Sequence, residues 1–151
     1  MKPRVLLADS DAAASGLCRA YLSHFGYQVD TALDVTECVS KLRYRKPDLL
    51  LLDRGLRGGG GEMVLAEIRG DACPHVPVVM IADLLPINAL SGLRSPPVVR
   101  SVQRPIRVAE LCDCIGSLLR PRRKSFNATA RPKRVENRPL RAELLLHEKS
   151  A

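Results

Sequence analysis

The chain is predicted to be a doubly wound α/β domain, a parallel sheet with helices on both faces. Three observations lead there. Short apolar runs without polar alternation recur along the chain, as Val5–Ala8, Leu49–Leu52 and Val76–Ile81, which is how strands buried on both faces read. Segments with apolar residues at helical spacing lie between them, so strand and helix alternate. Finally, two of the apolar runs stop on a carboxylate, Asp9 and Asp53. In open parallel sheets ligands bind beyond the carboxyl ends of the strands, where these two aspartates are expected.

The elements follow in order. Val5–Ala8 is the first strand, and Asp11 is placed to cap a helix carrying Leu17, Cys18, Tyr21, Leu22 and Phe25, with Gly26 just past its end. Tyr27, Val29 and Thr31 alternate and predict a second strand. Val35, Cys38, Val39 and Leu42 predict a second helix closed before Pro47, and Leu49–Leu52 is the third strand. Met63, Val64 and Ile68 predict a third helix, and Val76–Ile81 a fourth strand with Pro77 near its start. Pro86, Pro96 and Pro97 limit the next helix to roughly 87–93. Val98–Val102 is the fifth strand. Val108, Leu111, Cys112, Ile115, Leu118 and Leu119 give the clearest amphipathic helix of the chain.

Composition bounds the function. Apolar residues make up 46% and charged residues 26% of 151, the balance of a soluble globular protein of one domain with an extension. No apolar run approaches the 18 or more residues of a membrane span, and the apolar stretch before Asp9 is too short for a signal-peptide core. Five cysteines without an export signal predict reduced thiols and a cytoplasmic protein. Cys112 and Cys114 lack the paired spacing of a zinc site. Of 24 basic residues, 9 fall in 121–151 together with 3 of the 16 acidic ones, so +6 of the net +8 belongs to the tail. The domain is therefore set at 1–120. The region 121–151 is expected to be a basic, disordered tail with a short helix at 139–149. Such a tail is suited to nucleic acid or an acidic partner.

No catalytic set is legible. His24, His75 and His147 have no sequence partners for nucleophilic chemistry, and no Cys–His or Ser–His–Asp arrangement can be drawn. The run Gly58–Gly61 lacks the Gly-Lys-Ser/Thr of a nucleotide P-loop and is read as a mobile loop beside the site. The chain is not expected to be an enzyme.

The stretches VLLADSD, GYQVDTALDVTECVSKL, KPDLLLLDRGLRGGGGEMVLAEIR, VPVVMIA and QRPIRVAEL together resemble a response-regulator receiver domain, from about Val5 to Leu119. Pro47-Asp48 before the leucines, Gly61 eight residues after Asp53, and Arg104-Pro105 22 residues beyond Ala82 carry the likeness. The resemblance implies a flavodoxin-like fold with strand order 2-1-3-4-5 and a role in two-component or phosphorelay signalling. It implies Asp53 as phospho-acceptor, a partner sensor histidine kinase or other signalling protein, and a magnesium ion held by Asp9 and Asp53. Such an ion would offset the charge repulsion of carboxylate attack on a phosphoryl group.

The chain departs from the family pattern around that acceptor. The acidic pair at the end of the first strand reads Asp9-Ser10, so one carboxylate becomes a hydroxyl. The fourth-strand hydroxyl residue is Ala82. The fifth-strand lysine is Arg104, a planar fork in place of a compact ammonium. The fifth-strand aromatic is Ser101, and the proline four beyond the acceptor is Arg57. These changes lead to an expected magnesium site that is weak or absent. They also imply a signalling module with impaired phosphorylation that works through protein–protein contacts, in which Arg54, Arg57 and Arg104 pair with Asp53 or, for Arg54 and Arg57, simply lie solvent-exposed on the loop. A conventional phospho-acceptor using Asp53, and a nucleic-acid binder acting through the basic tail, are the alternative readings.

Overall fold

Five short segments become parallel strands, and helices cross over between the first and second, the second and third, and the third and fourth of them. The structure is a computed structural model and describes residues 1–71, 73–83 and 95–119. In chain order the elements are β1 (Arg4–Ala8), α1 (Ala12–His24), β2 (Gln28–Ala32), α2 (Val35–Arg45), β3 (Leu49–Asp53), α3 (Gly61–Arg69), β4 (Val78–Ala82), β5 (Val98–Gln103) and α4 (Val108–Leu119). The sheet order is β2-β1-β3-β4-β5, all parallel. This is the doubly wound, flavodoxin-like arrangement expected. The helix at 87–93, the tail helix at 139–149 and the boundary at 120/121 fall outside the described residues.

Sheet position explains why the strands read differently. β3 and β4 are buried at all five positions and β1 at four of five. β2 and β5 are the sheet edges and carry mixed patterns. Strand residues alternate between two cores. Leu6, Leu50, Leu52, Val78 and Met80 pack with α2 and α3 on one face. Val5, Leu7, Leu49, Leu51, Val79 and Ile81 pack with α1 and α4 on the other. Leu49 to Leu52 are fully buried, so trimming any one to alanine would cost about 2–5 kcal/mol.

Two boundaries differ from expectation. β4 begins at Val78 rather than Val76, because Pro77 has no N–H for a ladder. Its carbonyl accepts from Leu50 N–H instead, at 3.0 Å. β5 carries one extra residue: Val78 pairs Val98 but Val79 pairs Arg100. The bulge turns Val99 outward, where it is exposed.

The helix ends are set by their caps. The Asp11 carboxylate accepts from Ala13 and Ala14 N–H, and Gly26 sits at φ +92° past the end of α1. Asp34 caps α2 through Glu37 N–H at 2.7 Å, while Glu37 reaches back to Leu33 N–H at 2.9 Å, a reciprocal arrangement that fixes the entry to the helix.

Candidate functional site

The carboxyl ends of β1, β3 and β4 and the residue just past β5 bring four side chains together. β3 ends on Asp53, and Asp9 follows β1 directly, its N–H donating to the Ala32 carbonyl at 3.0 Å. Ala82 ends β4 and its carbonyl accepts from Arg104 N–H at 2.9 Å. That bond aims the Arg104 side chain back across the strand ends. Its NH1 lies 3.1 Å from Asp53 Oδ1 and its NH2 lies 3.0 Å from Asp9 Oδ2. One planar fork thus binds carboxylates from two neighbouring strands.

The cluster is shielded from water. The side chains of Asp53, Asp9 and Arg104 are 2%, 7% and 11% exposed. Each carboxylate is also fixed by backbone: Asp53 Oδ1 accepts from Gly55 N–H at 3.1 Å, and Asp9 Oδ1 accepts from Asp11 N–H at 2.9 Å. Burial pulls the Arg104 guanidinium pKa down, but the carboxylates of Asp53, Asp9 and Asp83 outweigh it and the net shift is upward. Arg104 is therefore charged throughout the working pH range.

The other expected site residues lie around this centre. The Ser10 hydroxyl accepts from Arg57 N–H at 2.7 Å. The Arg57 carbonyl accepts from Val35 N–H at 2.9 Å. The loop after β3 is thereby fastened to the loops after β1 and β2. Gly60 N–H to the Leu56 carbonyl (2.8 Å) and Gly61 N–H to the Arg54 carbonyl (2.9 Å) close it. The glycine loop expected beside the site is present as a hydrogen-bonded turn. Its glycines are explained locally: Gly58 to Gly60 run through φ +94°, +127° and +83°, where a side chain is strained. At Gly61 a Cβ would stand 3.1 Å from the Asp53 carbonyl oxygen. The stretch that runs from leucines through an aspartate into glycines is a buried strand, its terminal carboxylate, and a turn tight against it.

Of the three arginines expected around Asp53, Arg104 takes that position. Arg54 instead forms an ion pair with Glu62, Nε to Oε1 at 2.8 Å, and Arg57 is exposed and contributes its backbone. Ala82 is buried and presents only a methyl group beside the acceptor strand. Ser101 is exposed on β5. The Asp11 carboxylate is spent on the α1 cap and does not replace the missing member of the acidic pair. Sequence reasoning missed Asp83, whose Oδ1 lies 3.7 Å from Arg104 NH1 while its side chain is 80% exposed. The signal was present: like Asp9 and Asp53, it is a carboxylate at the end of an apolar strand. Among the described residues, no three His, Cys, Asp or Glu side chains gather as a metal cluster.

The response regulator receiver domain family matches this chain over residues 5–115. The chain belongs to that family. Receiver domains are signalling modules of two-component systems. The DNA-binding response regulator MtrA of Mycobacterium tuberculosis is 32% identical over 96 residues, covering 63% of this chain and 41% of that protein. The transcriptional regulatory protein KdpE of Staphylococcus aureus is 32% identical over 82 residues, covering 54% and 35%. The chain thus spans less than half the length of these relatives. A protein-glutamate methylesterase/protein-glutamine glutaminase of Anaeromyxobacter dehalogenans is 29% identical, but only 24% of it is covered. Among solved structures, a two-component response regulator from Clostridium difficile superposes with a TM-score of 0.73 at 21% identity, over 82% of this chain and all of that one. The chemotaxis response regulator CheY4 of Vibrio cholerae gives 0.72 at 18%, over 79% and 100%. These likenesses are of fold.

Receiver domains typically hold magnesium beside the acceptor. The ion requires near-octahedral oxygen ligands at about 2.0–2.1 Å. Here the Arg104 fork is bonded to both acidic side chains, and the oxygen of Ser10 is neutral and already accepts a hydrogen bond. The donor set does not match that ion.

No helix among the described residues is long and apolar enough to cross a membrane.

Proposed function

We propose that this receiver domain transmits signals through protein–protein contacts, with phosphoryl transfer to Asp53 impaired. Its partner is a sensor histidine kinase or another signalling protein of a two-component or phosphorelay system. The observation that carries the reading is Ser10. It stands where the family places a second carboxylate, and its hydroxyl is committed to the Arg57 amide at 2.7 Å. A hydroxyl so engaged contributes no negative charge to a metal and holds the acceptor loop in one arrangement. Ala82 supports the same conclusion, because its methyl group offers a transferred phosphoryl group no hydrogen bond and gives the β4 end nothing with which to sense one.

The experiment is incubation of the purified chain with a small-molecule phosphodonor and magnesium, followed by intact-protein mass spectrometry. Little Asp53-dependent adduct is expected on the unmodified chain. Ser10→Asp combined with Ala82→Thr restores part of it.

A further inference from the structure

We infer that Arg104 is the resident cation of this pocket: its guanidinium takes the charge-neutralising role of a divalent ion, joins Asp9 to Asp53, and leaves the domain indifferent to magnesium. The inference rests on the reading of an impaired acceptor and deepens it, by naming what occupies the cation's role.

Geometry is the first support. The two terminal nitrogens of Arg104 bind oxygens on two different strands, at 3.1 and 3.0 Å. A planar fork with fixed nitrogen spacing can do this, whereas a lysine presents one compact charge on a flexible stem. The arginine is delivered by backbone, through its N–H on the Ala82 carbonyl, so its position does not depend on side-chain packing alone.

Burial is the second. Two carboxylates at 2% and 7% exposure need a counter-charge within the protein. Arg104 provides it from inside, at 11% exposure, and Asp83 approaches the same guanidinium from the solvent side at 3.7 Å. A divalent ion entering between Asp9 and Asp53 would have to displace a covalently tethered cation or sit against it, and both lower its affinity.

The third is the surrounding hydrogen bonding. Asp9 and Asp53 each accept a backbone N–H, from Asp11 and Gly55 respectively, and Ser10 accepts one from Arg57. The pocket is thereby fixed by groups that belong to the chain.

The test is thermal unfolding of the full chain in chelator and in millimolar magnesium, with sodium chloride matching ionic strength. It compares the unmodified chain with Arg104→Lys and Arg104→Met. The unmodified chain is expected to melt at the same temperature in both buffers. Both variants are expected to gain several degrees in magnesium, because removing the fork uncovers the two carboxylates and ligand binding to the folded state raises its melting point. If Arg104→Met does not fold in chelator, Arg104→Lys, which keeps a charge, makes the comparison. A magnesium-dependent rise in the unmodified chain as large as in the variants overturns the inference. So does the absence of any magnesium response in Arg104→Lys and Arg104→Met. The two readings fail separately. An Asp53 phosphate on a chain that ignores magnesium defeats only the impaired-acceptor reading. Magnesium binding without phosphate defeats only the arginine.

Discussion

Removing the guanidinium by Arg104→Met is predicted to be among the most damaging single changes at the strand ends. The side chain loses its charge but keeps much of its aliphatic length, so the effect reports mainly on Asp9 and Asp53. Both carboxylates would be left buried beside each other, at 7% and 2% exposure, without a cation between them. Breaking a buried ion pair by deleting one partner costs about 3–5 kcal/mol, against roughly 0–1 kcal/mol for an exposed pair. At about 4 °C per kcal/mol for a domain of this size, the melting point falls by roughly 12–20 °C. The assay is urea unfolding at neutral pH of the unmodified chain, Arg104→Met, Asp9→Asn/Asp53→Asn, and all three changes together. If the loss arises from uncompensated charge, the triple variant recovers most of it, and the cycle shows a coupling comparable in size with the loss itself. The stability difference between the unmodified chain and Arg104→Met also changes little with salt, since buried pairs are weakly screened. A loss below ~1 kcal/mol, typical of exposed pairs, or strictly additive losses, would refute the description of a buried clamp.

Two further expectations follow from other parts of the domain. The hydrogen bond from Lys41 at 2.8 Å, together with Leu33 N–H, holds the Glu37 carboxyl below its ordinary value of 4.5. Because the folded value is the lower one, its contribution is fully present above the unfolded value and disappears as pH falls through the folded one. Glu37→Gln therefore costs roughly 0.2–0.5 kcal/mol at neutral pH and nothing in strong acid, read from chemical unfolding across pH. Burial pushes the thiols of Cys18 and Cys38 up to about 12 and that of Cys112 to about 11. In the folded chain Cys112, the more exposed of the three, is expected to alkylate first, with Cys18 and Cys38 reacting only on unfolding. Peptide mass spectrometry after timed labelling measures that order, and faster labelling of Cys18 or Cys38 in the folded chain would contradict it.

The central strands were legible because double-sided burial leaves an unbroken apolar run, and Leu49–Leu52 is such a run. Helices α1 and α2 were legible from spacing, and α1 also from its cap Asp11; the cap Asp34 of α2 went unread, although it too acts within a few residues of itself. Periodicity carries no information about which strand lies beside which. The order 2-1-3-4-5 came from the family resemblance. The placement of Asp9 and Asp53 together was legible for a physical reason, since both follow buried strands in a parallel sheet and must emerge at one edge. What spacing cannot show is the content of long-range bonds. Ser10 meets Arg57 across 47 residues and Arg104 meets Asp9 across 95, and no local pattern links them. The bonds that tie the glycine turn to Ser10 and Val35 were not legible for the same reason, because those partners lie on other loops. Val99 was hidden in an apparently regular strand because a bulge depends on the partner's register.

The measurement that bears most directly on the central claim is the intact mass of the chain after exposure to a small-molecule phosphodonor with magnesium, with Asp53→Asn treated in parallel. Impaired acceptance predicts nearly indistinguishable spectra for these two proteins. An aspartyl phosphate is expected for Ser10→Asp/Ala82→Thr, and more of it when Arg104→Lys is added. A stable phosphate adduct on the unmodified chain, absent from Asp53→Asn, would contradict the account and restore Asp53 as a working acceptor.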